Sequence, residues 1–124
     1  MHWLAVALGG ALGAVGRYGI SVYLFPIFGN RFPLATFAVN VIGSFVVGIC
    51  YVVIIEKEVL NPEWRHVMMT GFLGAFTTFS AFSLDAVNLW QNGHAVTALL
   101  YVGLSVVTCL VAVALAVTVT LRVI

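Results

Sequence analysis

The chain has 124 residues, 63% of them hydrophobic and 7% charged, with five Lys and Arg against four Asp and Glu and a net charge of +1. Soluble domains carry charge on about a quarter of their residues, so the composition excludes an ordinary water-soluble globule, and the balanced charge excludes a basic face for nucleic acid. At roughly 20 apolar residues per crossing, four membrane crossings use the whole chain and leave no soluble domain for chemistry.

The apolar stretches predict spanning helices over about residues 3–25, 33–55, 64–90 and 94–121, so that residues 1–124 form one all-α integral membrane domain. The first stretch lacks a basic leader and contains Arg17, which marks a retained helix rather than a signal peptide. Its connector holds Pro26, Gly29, Asn30, Arg31 and Pro33. The second connector holds Glu56, Lys57, Glu58, Asn61, Pro62 and Glu63, with Asn61 predicted as an N-cap and Pro62 in the first turn. The third, Gln91-Asn92-Gly93-His94, is short enough to make its flanking helices antiparallel neighbours. Both termini then share a side with Lys57, Arg65 and Arg122, while Arg31, with or without Arg17, lies nearer the other side, so the positive-inside bias is weak, at most three against one or two. A weak bias permits insertion in both orientations and hence an antiparallel homodimer. Four short helices enclose little space, so a closed symmetric dimer is the expectation for any ion path.

Shifting the chain by 61 residues aligns Trp3 with Trp64, Val6 with Val67, Gly10 with Gly71, and Leu12-Gly13-Ala14 with Leu73-Gly74-Ala75, six identities in twelve positions. A two-helix duplication and a shared need for small residues both account for this. Cys50 and Cys109 lie in apolar runs and read as small hydrophobes, not as a disulfide or metal framework.

Polar residues recur at helical spacing inside the apolar runs. Thr36, Asn40, Ser44 and Gly48 fall on one face of the second helix, and Thr97, Tyr101, Ser105 and Cys109 on one face of the fourth, with Thr108 beside them. An unpaired amide facing lipid costs several kcal/mol, so Asn40 must face another helix or a water-filled path. Interhelical glue and a pore lining both satisfy that demand. In the third stretch, Gly71-Phe72-Leu73-Gly74-Ala75-Phe76-Thr77-Thr78-Phe79-Ser80-Ala81-Phe82-Ser83 gathers Gly and β-branched Thr at the expected bilayer midplane. A break in helix 3 is expected there, with freed carbonyls for a cation and half-helix amides for an anion; an unbroken helix with a glycine seam is the alternative. The spacing of Phe72, Phe76, Phe79 and Phe82 predicts a packed aromatic stripe, whose positive ring edges can also meet an anion. Arg17 is expected to snorkel or hold a helix end, and Asp85 to cap the outer end of the third helix.

Gly9-Gly10 through Gly13 to Arg17-Tyr18, then Asn40-Val41-Ile42-Gly43-Ser44, then the Gly71 to Ser83 run resemble the Fluc (CrcB) family of fluoride channels across all four helices. The resemblance implies two chains packed in opposite orientations in a bacterial inner membrane, forming two narrow pores. Fluoride that entered as hydrogen fluoride and was trapped at cytoplasmic pH would leave through them passively, which protects against fluoride toxicity. It further implies that Asn40 donates its amide to fluoride, that Phe79 and Phe82 present ring edges along the pore, and that Ser80, Tyr101 and Ser105 form a polar track. A structural sodium ion would be held at the dimer centre by backbone carbonyls of Gly74 and Thr77; Arg17, Ser44 and Thr78 are separate candidates for supporting residues of the site. Family members commonly carry Thr at position 81 and Glu at 85, where this chain has Ala81 and Asp85.

Two rival readings differ in chemistry. A proton-coupled multidrug antiporter needs a membrane-embedded carboxylate, and the only candidate well inside an apolar stretch is Asp85, late in helix three. A non-transporting assembly protein would use its polar stripes only as glue. An enzyme is not expected, because His2, His66 and His94 fall near helix ends and no nucleophile–base pair or metal-ligand spacing occurs.

Overall fold

The computed structural model describes residues 2–28 and 32–124. The described residues contain helices and no strand: α1 (His2–Phe28), α2 (Leu34–Cys50) running on as a π-helix (Tyr51–Glu56), a second π-helix (His66–Leu73) leading into α3 (Gly74–Phe76), then α4 (Phe79–Gln91) and α5 (Ala95–Val123). Four spans, His2–Phe25, Leu34–Glu56, His66–Gln91 and Ala95–Val123, are long and apolar enough to cross a bilayer, as a multi-pass membrane protein requires. The expectations placed on Gly29, Asn30 and Arg31 lie outside the described residues.

Lipid tails are as apolar as leucine, so helices in a membrane associate by close packing, and glycine permits the closest approach. The seam between α1 and the His66–Phe76 stretch is built this way. A Cβ on Gly9 would strike the carbonyl oxygen of Val67, one on Gly13 the carbonyl of Phe72, and one on Gly71 would come within 2.9 Å of the Val6 oxygen. The matched order of these contacts makes the two elements parallel. The self-similar segments thus lie on opposite sides of one seam, where Gly10 stands against Gly71. The other tight pair is α2 with α5, where a Cβ on Gly48 would lie 2.7 Å from that of Ala116.

The connectors follow local chemistry. Asn61 accepts from the Glu63 N–H at 3.0 Å, satisfying an otherwise orphaned donor at the entrance to the third span. At the end of α4, Gly93 (φ 86°) takes the left-handed conformation. The His94 N–H then reaches the Leu89 carbonyl at 2.9 Å and the Gly93 N–H that of Trp90 at 3.3 Å, a Schellman turn that reverses the chain into α5.

Candidate functional site

Between α3 and α4 the backbone is extended at Thr77 (φ −86°, ψ 158°) and Thr78 (φ −152°, ψ 127°). Every polar group of this stretch that a helix would have paired must find another partner. Thr77 turns back, its N–H (3.0 Å) and Oγ1 (2.8 Å) both donating to the Leu73 carbonyl. The Thr78 N–H donates to Asn40 Oδ1 at 2.8 Å, and Asn40 Nδ2 donates to the Thr78 carbonyl at 3.0 Å. Asn40 therefore clamps both polar groups of one residue, and the N–H donated to it settles which end of the amide is oxygen. The Arg17 Nε donates to the Ala75 carbonyl at 3.1 Å, so this cation holds the end of α3. Thr78 caps α4 by accepting the Ala81 N–H at 3.2 Å. Glycine makes the assembly possible, since a Cβ on Gly43 of α2 would collide with the Thr77 methyl.

A cavity of about 260 Å³ opens beside the clamp, lined by Asn40, Thr77, Thr78, Phe79, Phe82, Ser105, Val106 and Cys109. None of its lining residues is charged. The Ser105 hydroxyl, on a residue 5% exposed, has no hydrogen-bond partner. Asn40 has two amide hydrogens and spends one on Thr78. The cavity also lies at the N-terminal end of α4, where backbone N–H groups favour negative charge. Unspent donors, a helix N-terminus and aromatic rings, gathered with no charged side chain in the lining, suit brief residence of a small anion.

Phe82 and Phe79 stand with centroids 5.6 Å apart, and Phe82 continues to Tyr101 at 5.1 Å and Tyr101 to Phe32 at 5.4 Å, edge-on. Tyr101 is fully buried and does not line the 260 Å³ cavity; its hydroxyl donates to Asp85 at 3.3 Å. Asp85 lines a wider space of about 650 Å³ together with Thr36, Asn88 and His94. Tyr101 thus packs its ring on Phe82, which lines the smaller cavity, and bonds its hydroxyl to Asp85, which lines the larger. Ser80 is exposed in the first turn of α4, with its hydroxyl 3.4 Å from that of Thr78, and does not line the smaller cavity. Ser44 joins Asn40, Gly43, Gly74 and Thr77 around a separate cleft of about 220 Å³, where Gly74 is exposed.

Two expectations need correction. Asp85 does not cap the outer end of the third span; it lies inside α4, where Tyr101 supplies its partner. The four phenylalanines do not form one packed stripe. Phe72 and Phe76 stack at 5.7 Å, but Phe79, beyond the extended residues, is 78% exposed. Sequence reasoning missed Gly43 as the seat of Thr77 and Cys109 as a cavity residue. A glycine directly before Ser44, and the place of Cys109 one turn beyond Ser105, were the available signals.

These features define a four-span helical membrane protein with a donor-lined cavity beside the extended residues Thr77 and Thr78. A family model described as CrcB-like protein, Camphor Resistance (CrcB), matches residues 4–117, and the chain belongs to this family. A relative from Saccharophagus degradans, named fluoride-specific ion channel FluC, is 56% identical over 118 residues, covering 95% of this chain and 88% of that protein. A relative of the same name from Hahella chejuensis is 49% identical over 112 residues, covering 90% and 88%. Another, from Acidobacterium capsulatum, is 45% identical over 113 residues, covering 91% and 90%.

Proposed function

We propose that this chain is the subunit of a fluoride-selective channel, and not an enzyme, through which fluoride leaves the cytoplasm passively and the cell escapes its toxicity. The name shared by its relatives supports the choice of ion. Within the chain the reading is carried by Ser105, whose buried, unpartnered hydroxyl lines the cavity that Asn40, Phe79 and Phe82 complete. A small, strongly hydrated anion must exchange its water for several donors, none strong enough to trap it. The free Asn40 hydrogen, the Ser105 hydroxyl and the ring edges of Phe79 and Phe82 supply them. Tyr101 and Ser80, which do not line this cavity, are assigned to the polar track next to it.

The working unit is an antiparallel homodimer with two passages in a bacterial inner membrane, and the third span is broken at the midplane. Exposed Gly74 and the extended residues beside it support this, because bare backbone groups facing lipid cost several kcal/mol each. A second copy over that face removes the cost. The weak charge bias of Lys57, Arg65 and Arg122 permits the opposite insertion.

The Gly74 and Thr77 carbonyls fit a structural sodium ion. The Thr78 N–H, which would close a helix onto Gly74, goes to Asn40 instead, and the freed oxygen belongs to a residue on the exposed cleft. A hard cation prefers such oxygens. Bound there, sodium would supply fixed positive charge and brace the two copies.

The test is efflux from liposomes holding the purified full chain, read with fluoride and chloride electrodes. Fluoride efflux far faster than chloride, and indifferent to a proton gradient, is expected. Equal chloride flux, or flux only with a proton gradient, overturns the reading.

A further inference from the structure

The chain has two cysteines, and their surroundings are opposite. Cys50 is buried in the wall of a cavity whose other lining residues are Ile49, Val53, Ile54, Leu60, Trp64 and Met68, with no donor among those side chains except the Trp64 indole. Cys109 is half-buried and lines the same cavity as Ser105 and Asn40. It sits one turn beyond Ser105 on the same face of α5, so thiol and hydroxyl project side by side.

The sulfur that attacks an electrophile is the thiolate, which is itself an anion. The cavity that Cys109 lines gives a small electrophile access to its sulfur. Ser105 provides the independent sign that the cavity has donor capacity to spare, since its hydroxyl is nine-tenths buried and unpartnered. The unspent Asn40 hydrogen and the N-terminal end of α4 act in the same sense. Cys50 has no comparable surroundings, and a thiol among apolar side chains is inert.

We infer that Cys109 is a covalent modification site in the wall of the anion passage, where a small, neutral thiol-directed electrophile caps the sulfur and closes the passage. With methyl methanethiosulfonate the thiol proton goes to water and the Cys109 sulfur attacks the sulfenyl sulfur. A Cys–S–S–CH3 bond forms, the bond to the sulfonyl sulfur breaks, and methanesulfinate leaves. The added methylthio group occupies the space beside Ser105 and replaces an S–H donor with an apolar cap. Closure of the passage rests on the channel reading; the chemical selectivity for Cys109 does not.

The experiment treats full-length protein in liposomes with methyl methanethiosulfonate and records two signals: fluoride efflux as a fraction of each protein's own untreated value, and peptide mass spectrometry of both cysteines. Wild type and Cys50→Ser are expected to lose at least about tenfold of their efflux, while Cys109→Ser keeps its own untreated rate. Modification is expected on Cys109 ahead of Cys50, and fluoride in the bath is expected to slow it, which a cysteine outside the passage would not show. Equal loss of flux in Cys109→Ser, preferential modification of Cys50, or a fully modified Cys109 that still conducts would each overturn the inference. If untreated protein moves no fluoride, the channel reading fails, and the mass spectra still decide whether Cys109 is the selective site.

Discussion

The two halves of the third span each carry a pair of phenylalanines and put them to opposite work. Before Thr77, glycines press the backbone onto α1, and Phe72 and Phe76 stack inside that contact with Phe76 buried. After Thr78, phenylalanines at similar spacing line a cavity, and Phe79 is 78% exposed. Two extended residues rotate the second half relative to the first, so one aromatic repeat is divided into a structural pair and a lining pair. The environment, not the side chain, assigns the role.

The largest effect is expected at the glycine seam. Gly13→Val sets a branched side chain against the Phe72 carbonyl, and overpacking of this kind costs about 3 kcal/mol or more where backbone must move. Little monodisperse protein is expected on size-exclusion chromatography in detergent.

The paired substitutions Phe76→Ala and Phe79→Ala sharpen the contrast directly. The first empties a buried site and is expected to destabilise by roughly 3 kcal/mol. The second removes a ring with few contacts inside the subunit and is expected to shift stability by less than about 1 kcal/mol. Fluoride efflux should nevertheless fall at least about tenfold for Phe79→Ala in protein of normal thermal stability. Equal losses of stability in the two variants would mean that Phe79 is as much a packing residue as Phe76.

Asn40→Asp keeps an acceptor for the Thr78 N–H but removes the donor to its carbonyl and the hydrogen left for the cavity. A lost donor of this kind is worth about 1–3 kcal/mol, so efflux should fall between about fivefold and a hundredfold. The smallest and most diagnostic effect belongs to Ser105→Ala. Deleting an unpartnered buried hydroxyl is expected to raise stability by up to about 1 kcal/mol while slowing efflux several-fold. Thermal unfolding and the fluoride electrode, applied to the same preparation, should move in opposite directions.

Much of the architecture was legible because lipid imposes simple rules. Apolar length marked the four spans, and the Gln91 to His94 turn showed its Gly93 reversal. Asn40 stood out because an amide in hydrocarbon demands a partner. Its partner was not legible, since the Thr78 backbone lies 38 residues away. For the same reason Asp85 read as a helix cap until Tyr101, from another helix, supplied its hydrogen bond.

By itself the sequence determined the solvent this protein lives in, the number of its crossings and the residues too polar for lipid, because these depend on composition and on periods within one helix. Tertiary structure alone decided which carbonyl Arg17 holds, which peptide Asn40 clamps, and which phenylalanines face a cavity. Those outcomes depend on the rotation of one helix against another across a glycine seam, a relation that no single segment encodes.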